Sequence, residues 1–331
     1  MPDMRDQKID AFLAGTDWAM ARRAKLAGDA SNRRYDRLTL GPDSAVLMDA
    51  PPEKGEDVRP FVAVAEYLTG IGLSAPRIIA ADTEAGFLLI EDLGDDLFAR
   101  VLDRDETLEQ PLYAAATDAL IQLHRAAPMA GLEAYDPPRM TELSALAYDW
   151  YLAESLGPSP EAKAAFGAEF EPVLAENAEC SVTILRDYHA ENLLWLPDRD
   201  GAARVGQLDF QDAMLGDPSY DLVSLLMDAR RDVSAETRDA MIRYYAAETG
   251  QEAEVFERSF HVLGAQRNLR ILGVFARLSR RDRKAHYVDL IPRVWDHLMR
   301  NLDHPALAGI AGRIKGDLPA PTPEILERLR R

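Results

Sequence analysis

Hydrophobic and polar positions change rhythm twice along this chain. In residues 57–70, Phe61, Val64, Ala65 and Leu68 recur at the spacing of one helical face, which predicts a single amphipathic helix. Around it, short alternating or apolar runs end at turn signals such as Gly41-Pro42 and predict strands over 21–25, 35–40, 45–48, 77–81 and 87–91. A helix over 4–13 precedes them. Beyond Gly94 the helical period dominates, with helices expected at roughly 107–127, 139–155, 160–177, 218–230, 234–249, 252–279 and 286–302. A β-rich interval over 182–210 interrupts that run. Prolines 319, 321 and 323 lead to a short last helix. The change of rhythm places a lobe boundary at 93–96, giving a small sheet lobe over 1–94 and a larger, mainly helical lobe over 95–331.

Composition narrows the class. An apolar share of 47% and a charged share of 28% in 331 residues fit a globular fold with a sizeable core. No apolar run approaches the ~20 residues of a membrane span. The start, MPDMRDQKID, has neither an apolar signal core nor a basic transit pattern, and the single Cys180 excludes an intrachain disulfide, so a cytoplasmic location is expected. The net charge of −18 argues against nucleic acid or an anionic membrane as partner. No protein partner is predicted. Two segments reverse the sign locally: Arg22, Arg23, Lys25, Arg33, Arg34 and Arg37, and later Arg267, Arg270, Arg277, Arg280, Arg281, Arg283 and Lys284. Solvated faces are the plain alternative for both.

The strongest chemical signal is Leu185-Arg186-Asp187-Tyr188-His189-Ala190-Glu191-Asn192, followed by an apolar hairpin that ends at Asp209. This spacing brings three oxygen-bearing side chains to one end of the hairpin. Asn192 and Asp209 are the hard ligands that Mg²⁺ prefers beside phosphate oxygens. Asp187 is left to accept the proton of an attacking hydroxyl, an arrangement that matches phosphoryl transfer. A second signal is the turn Gly28-Asp29-Ala30-Ser31-Asn32-Arg33-Arg34. Small Gly28, Ala30 and Ser31 allow backbone N–H groups close to phosphates, and Arg33 and Arg34 supply charge; a simple hairpin turn is the alternative. Third, the apolar strand 87–91 runs into the acidic turn Glu91-Asp92-Leu93-Gly94, where a strand edge can offer backbone C=O and N–H groups to adenine; a core strand and its exit turn is the alternative.

With these motifs in view, the sequence resembles the aminoglycoside phosphotransferase and choline kinase family. The family's H-G-D-x-H-x-x-N element corresponds to Leu185–Asn192, its I-D-W/F-x element to Leu208-Asp209-Phe210-Gln211, and its G-D-P-x-x-D-L element to Gly216-Asp217-Pro218-Ser219-Tyr220-Asp221-Leu222. The resemblance implies an α+β, bilobal protein-kinase-like fold, with a small antiparallel β-sheet N-lobe carrying one helix and a mainly helical C-lobe. It also implies a nucleotide hinge at Glu91 to Leu93, with ATP as donor, GTP as the alternative, and Mg²⁺. His189 and Gln211, inside the matched elements, become candidate acceptor contacts. The stretches 46–52 and 266–273 resemble more narrowly the anomeric N-acetylmuramate/N-acetylglucosamine kinases of cell-wall recycling. The implied acceptor is then the anomeric hydroxyl of an N-acetylated amino sugar.

Two positions depart from the family pattern. Leu185 replaces the usual His, and Met48 stands where a phosphate-binding Lys or Arg is expected, so Glu66 on the crossing helix lacks that partner. Lys25, an arginine of the 28–35 turn, or the metal must then anchor the phosphates. A protein kinase is disfavoured because only six residues separate Asp209 from Gly216. The remaining alternatives are an aminoglycoside kinase, for which an acidic cleft suits a polycation; a choline-type kinase with Trp150 and Tyr151 as cage candidates; and a catalytically weakened nucleotide-binding regulator. If the first turns of the later basic stripe face the cleft, Arg267 and Arg270 favour an anionic acceptor such as N-acetylmuramate.

Overall fold

A computed structural model of the chain describes residues 4–26 and 32–331. Helix α1 (Met4–Ala14) precedes β1 (Arg22–Lys25), β2 (Arg34–Leu40) and β3 (Asp43–Asp49); α2 (Arg59–Gly70) then leads to β4 (Ile78–Asp82) and β5 (Phe87–Glu91). The five strands form one antiparallel sheet in the order β1-β2-β3-β5-β4. Strand alternation explains why β3 is buried on both faces. Ala45 and Leu47 pack with Leu38, Phe87 and Leu89 against Ile9 and Leu13 of α1. Val46 and Met48 pack with Leu88 and Ile90 on the other side, against Phe61, Val64, Ala65 and Leu68 of α2. A one-residue slip would exchange these two faces, so burial worth about 1.5–3 kcal/mol per large apolar side chain fixes the register.

The larger part begins with α3 (Phe98–Arg104), α4 (Glu109–Arg125) and α5 (Pro137–Ser144), continues through a π-helical turn (Ala147–Leu152) into α6 (Ala153–Ser155), and reaches α7 (Pro160–Asn177). Four short strands follow: β6 (Val182–Ile184), β7 (Leu193–Trp195), β8 (Val205–Gln207) and β9 (Met214–Gly216). β6 pairs with β9 and β7 with β8. The chain closes with α8 (Ser219–Leu226), α9 (Ala235–Thr249), α10 (Ala253–Arg280), α11 (Ile291–Leu302), α12 (Ala308–Asp317) and α13 (Pro323–Arg330). The 28-residue α10 is the central beam, with Phe256, Phe260, Leu263, Leu269 and Leu272 buried. Its Gly273 lies so close to the loop before the π-turn that a Cβ would fall 2.2 Å from the Leu146 carbonyl carbon. Only glycine permits this approach, which sets how α10 presents Arg267 and Arg270.

The α+β architecture expected from the sequence is the one observed. Several boundaries differ for local reasons. The helix expected over 139–155 is broken by the π-turn. Tyr151 within that turn is fully buried, lies tilted against Trp295 with ring centroids 6.2 Å apart and donates to the Pro319 carbonyl at 2.7 Å, so it is a core residue rather than a cage wall. The helix expected from 286 starts at Ile291, where Pro292 occupies the first turn, and a 3₁₀ segment precedes it. The helix expected over 218–230 stops at Leu226 because Met227 leaves helical angles at φ −119, ψ 48. No helix among the described residues is long and apolar enough to cross a membrane.

The β7–β8 hairpin is stitched to both halves. Gln207 N–H donates to the Ser74 carbonyl at 2.7 Å, and Trp195 N–H to Asp96 at 2.8 Å. Arg199, in the hairpin's loop, bridges Ser74 Oγ at 2.6 Å and the Glu91 carboxylate at 2.8 Å. The hairpin thereby holds Asn192 and Asp209 under the sheet.

Candidate active site

The loop between β6 and β7 carries Asp187 in an unusual backbone setting. Arg186 has φ 72, a left-handed conformation that costs a non-glycine residue about 1–3 kcal/mol. Four contacts hold it there. The Asp221 carboxylate, fully buried on α8, accepts the N–H groups of Leu185 at 2.6 Å and Arg186 at 2.8 Å. The Arg186 carbonyl accepts from Arg267 Nη1 at 2.9 Å and from Ser224 Oγ at 3.3 Å. Burial pushes the Asp221 carboxyl up to about 6, against the pull of the two N–H groups and Arg267, and it remains ionised at neutral pH. This bracing delivers the Asp187 side chain, a third exposed, into a cavity.

Burial acts to raise the Asp187 carboxyl, but Arg267, Arg270, His189 and Arg186 outweigh it and hold it below the usual carboxylate range. Arg267 Nη2 lies 3.9 Å from the carboxylate. Asp187 is therefore ionised at neutral pH, as a proton acceptor must be. His189 behaves oppositely: burial lowers it to about 4, so it is neutral, and its Nδ1 is buried with no hydrogen-bond partner.

Asn192 Nδ2 donates to the Asp187 carbonyl at 2.9 Å and lies 3.5 Å from Asp209 Oδ2. Its Oδ1 has no hydrogen-bond partner among the described residues. Asp209 is the second left-handed residue, at φ 57. Phe210, its ring tilted against that of Phe61 of α2 with centroids 4.8 Å apart, and Gln211, whose Nε2 donates to Asp209 Oδ1 at 2.8 Å, hold it. The adjacent amide and carboxylate oxygens match the donor set of a Mg²⁺ that takes its remaining ligands from phosphates and water. No cluster of three His, Cys, Asp or Glu side chains forms a protein-only cage among the described residues.

Two cavities meet at this point. One, of about 330 Å³, runs between sheet and hairpin, lined by Tyr35, Val46, Ile90, Leu93, Leu194 and Leu208, and reaches Asn192 and Asp209. The backbone N–H and C=O of Leu93 have no partner among the described residues. The other, of about 220 Å³, lies under α10 between Asp187, His189, Asp228, Arg267, Arg270 and Phe275, and also reaches Asp209. Asp209 is thus common to both, Asn192 opens to the first and Asp187 to the second. A larger depression of about 480 Å³ near Glu176, Arg258 and His304 touches none of these groups.

Comparison with known proteins agrees with this geometry. Residues 23–256 match the family model described as "Phosphotransferase enzyme family". The N-acetylmuramate/N-acetylglucosamine kinase of Caulobacter vibrioides is 41% identical, over 92% of this chain and 94% of that protein. The chain belongs to the phosphotransferase enzyme family. Its fold is shared with a choline kinase of Streptococcus pneumoniae (TM-score 0.61, 14% identity, 90% of this chain and 100% of that one) and with the ADP-bound aminoglycoside phosphotransferase APH(2'')-Ib (TM-score 0.58, 14% identity, 90% and 99%). These are bilobal protein-kinase-like neighbours, and the chain is a small-molecule kinase of that fold.

Not every residue singled out in the sequence sits where a phosphotransferase site needs it. Gly28, Ala30 and Ser31 lie outside the described residues. Arg34 is turned to the α1 face, where it meets Asp6 at 3.0 Å and Asp49 at 3.6 Å, because β2 alternation sends Tyr35 and Arg37 to the cleft instead. Lys25, in register with Asp36, is on that same outer face. Arg33 falls on the Tyr35 side and pairs with Glu56 at 2.8 Å. Met48 is fully buried in the α2 core, and Glu66 points to solvent. The Glu91 side chain is engaged by Arg77 and Arg199. His189, Arg267 and Arg270 line the second cavity, whereas Gln211 contacts Asp209 and does not. Three contributors were not assigned from the sequence. Asp221 is in the quoted G-D-P-x-x-D-L element, so a signal existed. Asp228 was hidden inside an overlong helix, and Arg37, which clasps Asp92 at 2.7 Å and Asp95 at 2.8 Å across the cleft mouth, gave no distinct pattern.

Proposed function

We propose that this kinase transfers the γ-phosphoryl group of ATP to the anomeric hydroxyl of an N-acetylated amino sugar, N-acetylmuramate or N-acetylglucosamine. The observation that carries the reading is the junction of the two cavities at Asp209, with Asp187 on the acceptor side only. The acceptor rests on the names of relatives such as the Caulobacter vibrioides enzyme and on the arginines of the second cavity.

In this proposal residues 1–94 supply the nucleotide lobe and 95–331 the acceptor lobe. The Leu93 backbone, with that of Glu91, meets the adenine edge. Asn192 Oδ1 and the Asp209 carboxylate would hold Mg²⁺, which would supply positive charge to offset that of the phosphates. Arg33, just before β2 and beside Tyr35, is the turn residue assigned to the phosphates. The acceptor oxygen bonds to the γ-phosphorus as the bond to the β-phosphate oxygen breaks, and its proton passes to Asp187. Arg267 keeps that carboxylate ionised and the loop in place.

The test is phosphorus NMR of reactions with ATP and Mg²⁺ against N-acetylmuramate, N-acetylglucosamine, an aminoglycoside and choline. A sugar 1-phosphate signal with either amino sugar is expected. Turnover confined to the aminoglycoside or choline would overturn the acceptor assignment.

A further inference from the structure

Arginines in this acidic protein generally face carboxylates: Arg5, Arg23, Arg34, Arg37, Arg199, Arg230 and Arg293 all do so within 4 Å. Arg270 is an exception in a site where an exception is costly. It lies largely out of solvent on the buried side of α10 and makes one long contact, Nη1 to the Tyr220 hydroxyl at 3.3 Å. It has no carboxylate within 4.0 Å among the described residues. Its neighbour Arg267 is already engaged with the Arg186 carbonyl and directed at Asp187. Asp187 acts on Arg270 only from beyond 4.0 Å, so this guanidinium, largely withdrawn from water, keeps donors that no carboxylate completes. Arg270 lines the acceptor cavity, so the missing partner can be an acceptor.

The surroundings limit what that acceptor group is. Arg270 presents a rigid fork with Nε and Nη2 unengaged by the protein, a shape that takes a carboxylate through two parallel hydrogen bonds. Ile271 and Val274, on the same helix, make the adjoining wall apolar and suit a small alkyl substituent. A carboxylate beside a methyl group on a short ether arm is the lactyl group that distinguishes N-acetylmuramate from N-acetylglucosamine. We propose that Arg270 binds that lactyl carboxylate and determines the preference between the two sugars. This inference rests on the amino-sugar reading above and adds the residue that discriminates within it.

The experiment measures kcat/KM for both sugars with wild type, Arg270→Gln and Arg270→Lys, and for wild type with the methyl ester of N-acetylmuramate. Because Arg270 also acts on Asp187 electrostatically, the readout is the ratio of the two sugars, which a shared effect on the base cancels. Arg270→Gln should lower the N-acetylmuramate to N-acetylglucosamine ratio by about 10- to 100-fold, the scale of a lost charge-assisted pair. Arg270→Lys should recover part of it, mainly through KM. The methyl ester should lose a similar factor on wild type, which keeps the test available if a variant folds poorly, and little more on Arg270→Gln. Equal losses for both sugars would mean that Arg270 serves the phosphoryl group or the base, and would overturn the assignment. Full activity of the methyl ester on wild type would overturn it too. If wild type accepts neither sugar while phosphorylating another acceptor, the amino-sugar reading itself fails and this inference with it.

Discussion

Replacing Asp221 with Asn tests whether the catalytic loop is held by one buried carboxylate. In the wild type, each carboxylate oxygen accepts one N–H, from Leu185 and Arg186. An Asn amide offers one acceptor oxygen and turns an NH₂ donor towards the other N–H, so at least one buried donor is orphaned. An unsatisfied buried N–H costs about 1–3 kcal/mol, and the φ 72 strain at Arg186 adds a similar driving force for the loop to relax. Part of this is offset because the neutral Asn avoids the desolvation that pushes the Asp221 carboxyl up to about 6. We therefore expect a loss of about 1–3 kcal/mol in stability, with a larger effect on catalysis. Displacing a catalytic group by about 1 Å can cost on the order of 10²-fold. Asp221 lies outside both cavities, so kcat should fall by about 10²-fold while the nucleotide Kd changes little. Thermal unfolding, steady-state kinetics and nucleotide titration on the same preparation separate these effects. A variant with wild-type kcat would refute the argument, because it would show that Asp187 keeps its position without the brace.

Asp187→Asn should leave the fold and nucleotide affinity nearly intact and lower turnover by about 10²- to 10⁴-fold, measured by coupled assay. Asp209→Ala should abolish Mg²⁺-dependent nucleotide binding in titration calorimetry, and Asn192→Ala should weaken it less, since a neutral ligand contributes less charge. Arg33→Ala should weaken ATP binding by about 1–3 kcal/mol, whereas Arg34→Ala, on the α1 face, should leave it unchanged; equal losses would contradict the strand geometry. Neighbouring groups hold the Asp187 carboxyl below the usual carboxylate range, so its own titration should not limit kcat/KM near neutrality, whereas Asp221, pushed up to about 6, should give an acid limb near that pH as protonation removes an acceptor for the loop N–H groups. A profile with no limb near pH 6 would contradict the brace.

Periodicity made the sheet and most helices legible, because double-sided burial of β3 and single-sided burial of α2 write themselves into spacing. The proposed catalytic residues drew notice in the sequence for a different reason: Asp187, Asn192 and Asp209 are close in sequence and joined by one hairpin, and the structure brings them together. What could not be read was direction. A cluster of arginines at 33–37 signals local charge, but only the strand register shows that Arg34 turns to Asp6 and Asp49 while Arg37 turns to the cleft. Helix length was similarly ambiguous. The apolar run Leu222, Val223, Leu225 and Leu226 is compatible with a helix continuing to 230, and nothing local marks the stop that leaves Asp228 beside His189 in the cavity. The short α3 falls below the length at which periodicity is informative.

Met48 shows how a position can leave the family pattern without removing the chemistry. Its side chain is fully buried against α2, where an ammonium would need a partner, and Glu66 faces solvent instead of supplying one. The β3 position that usually carries charge has therefore been absorbed into the core. Arg33, just before β2, pairs instead with Glu56 of the segment before α2 at 2.8 Å. Every residue assigned to donor handling, from Arg33 to Asp209, lies within the span 23–256 that matches the broad phosphotransferase family, whereas Arg267, Arg270, Ile271 and Phe275 of the acceptor cavity lie beyond it. The second cavity therefore draws on both stretches, Asp187, His189 and Asp228 within the matched span and the α10 residues beyond it, and Arg267 ties them together through the Arg186 carbonyl. A change of acceptor can then be accommodated along α10 with the Asp187 loop left in place, provided Arg267 is retained.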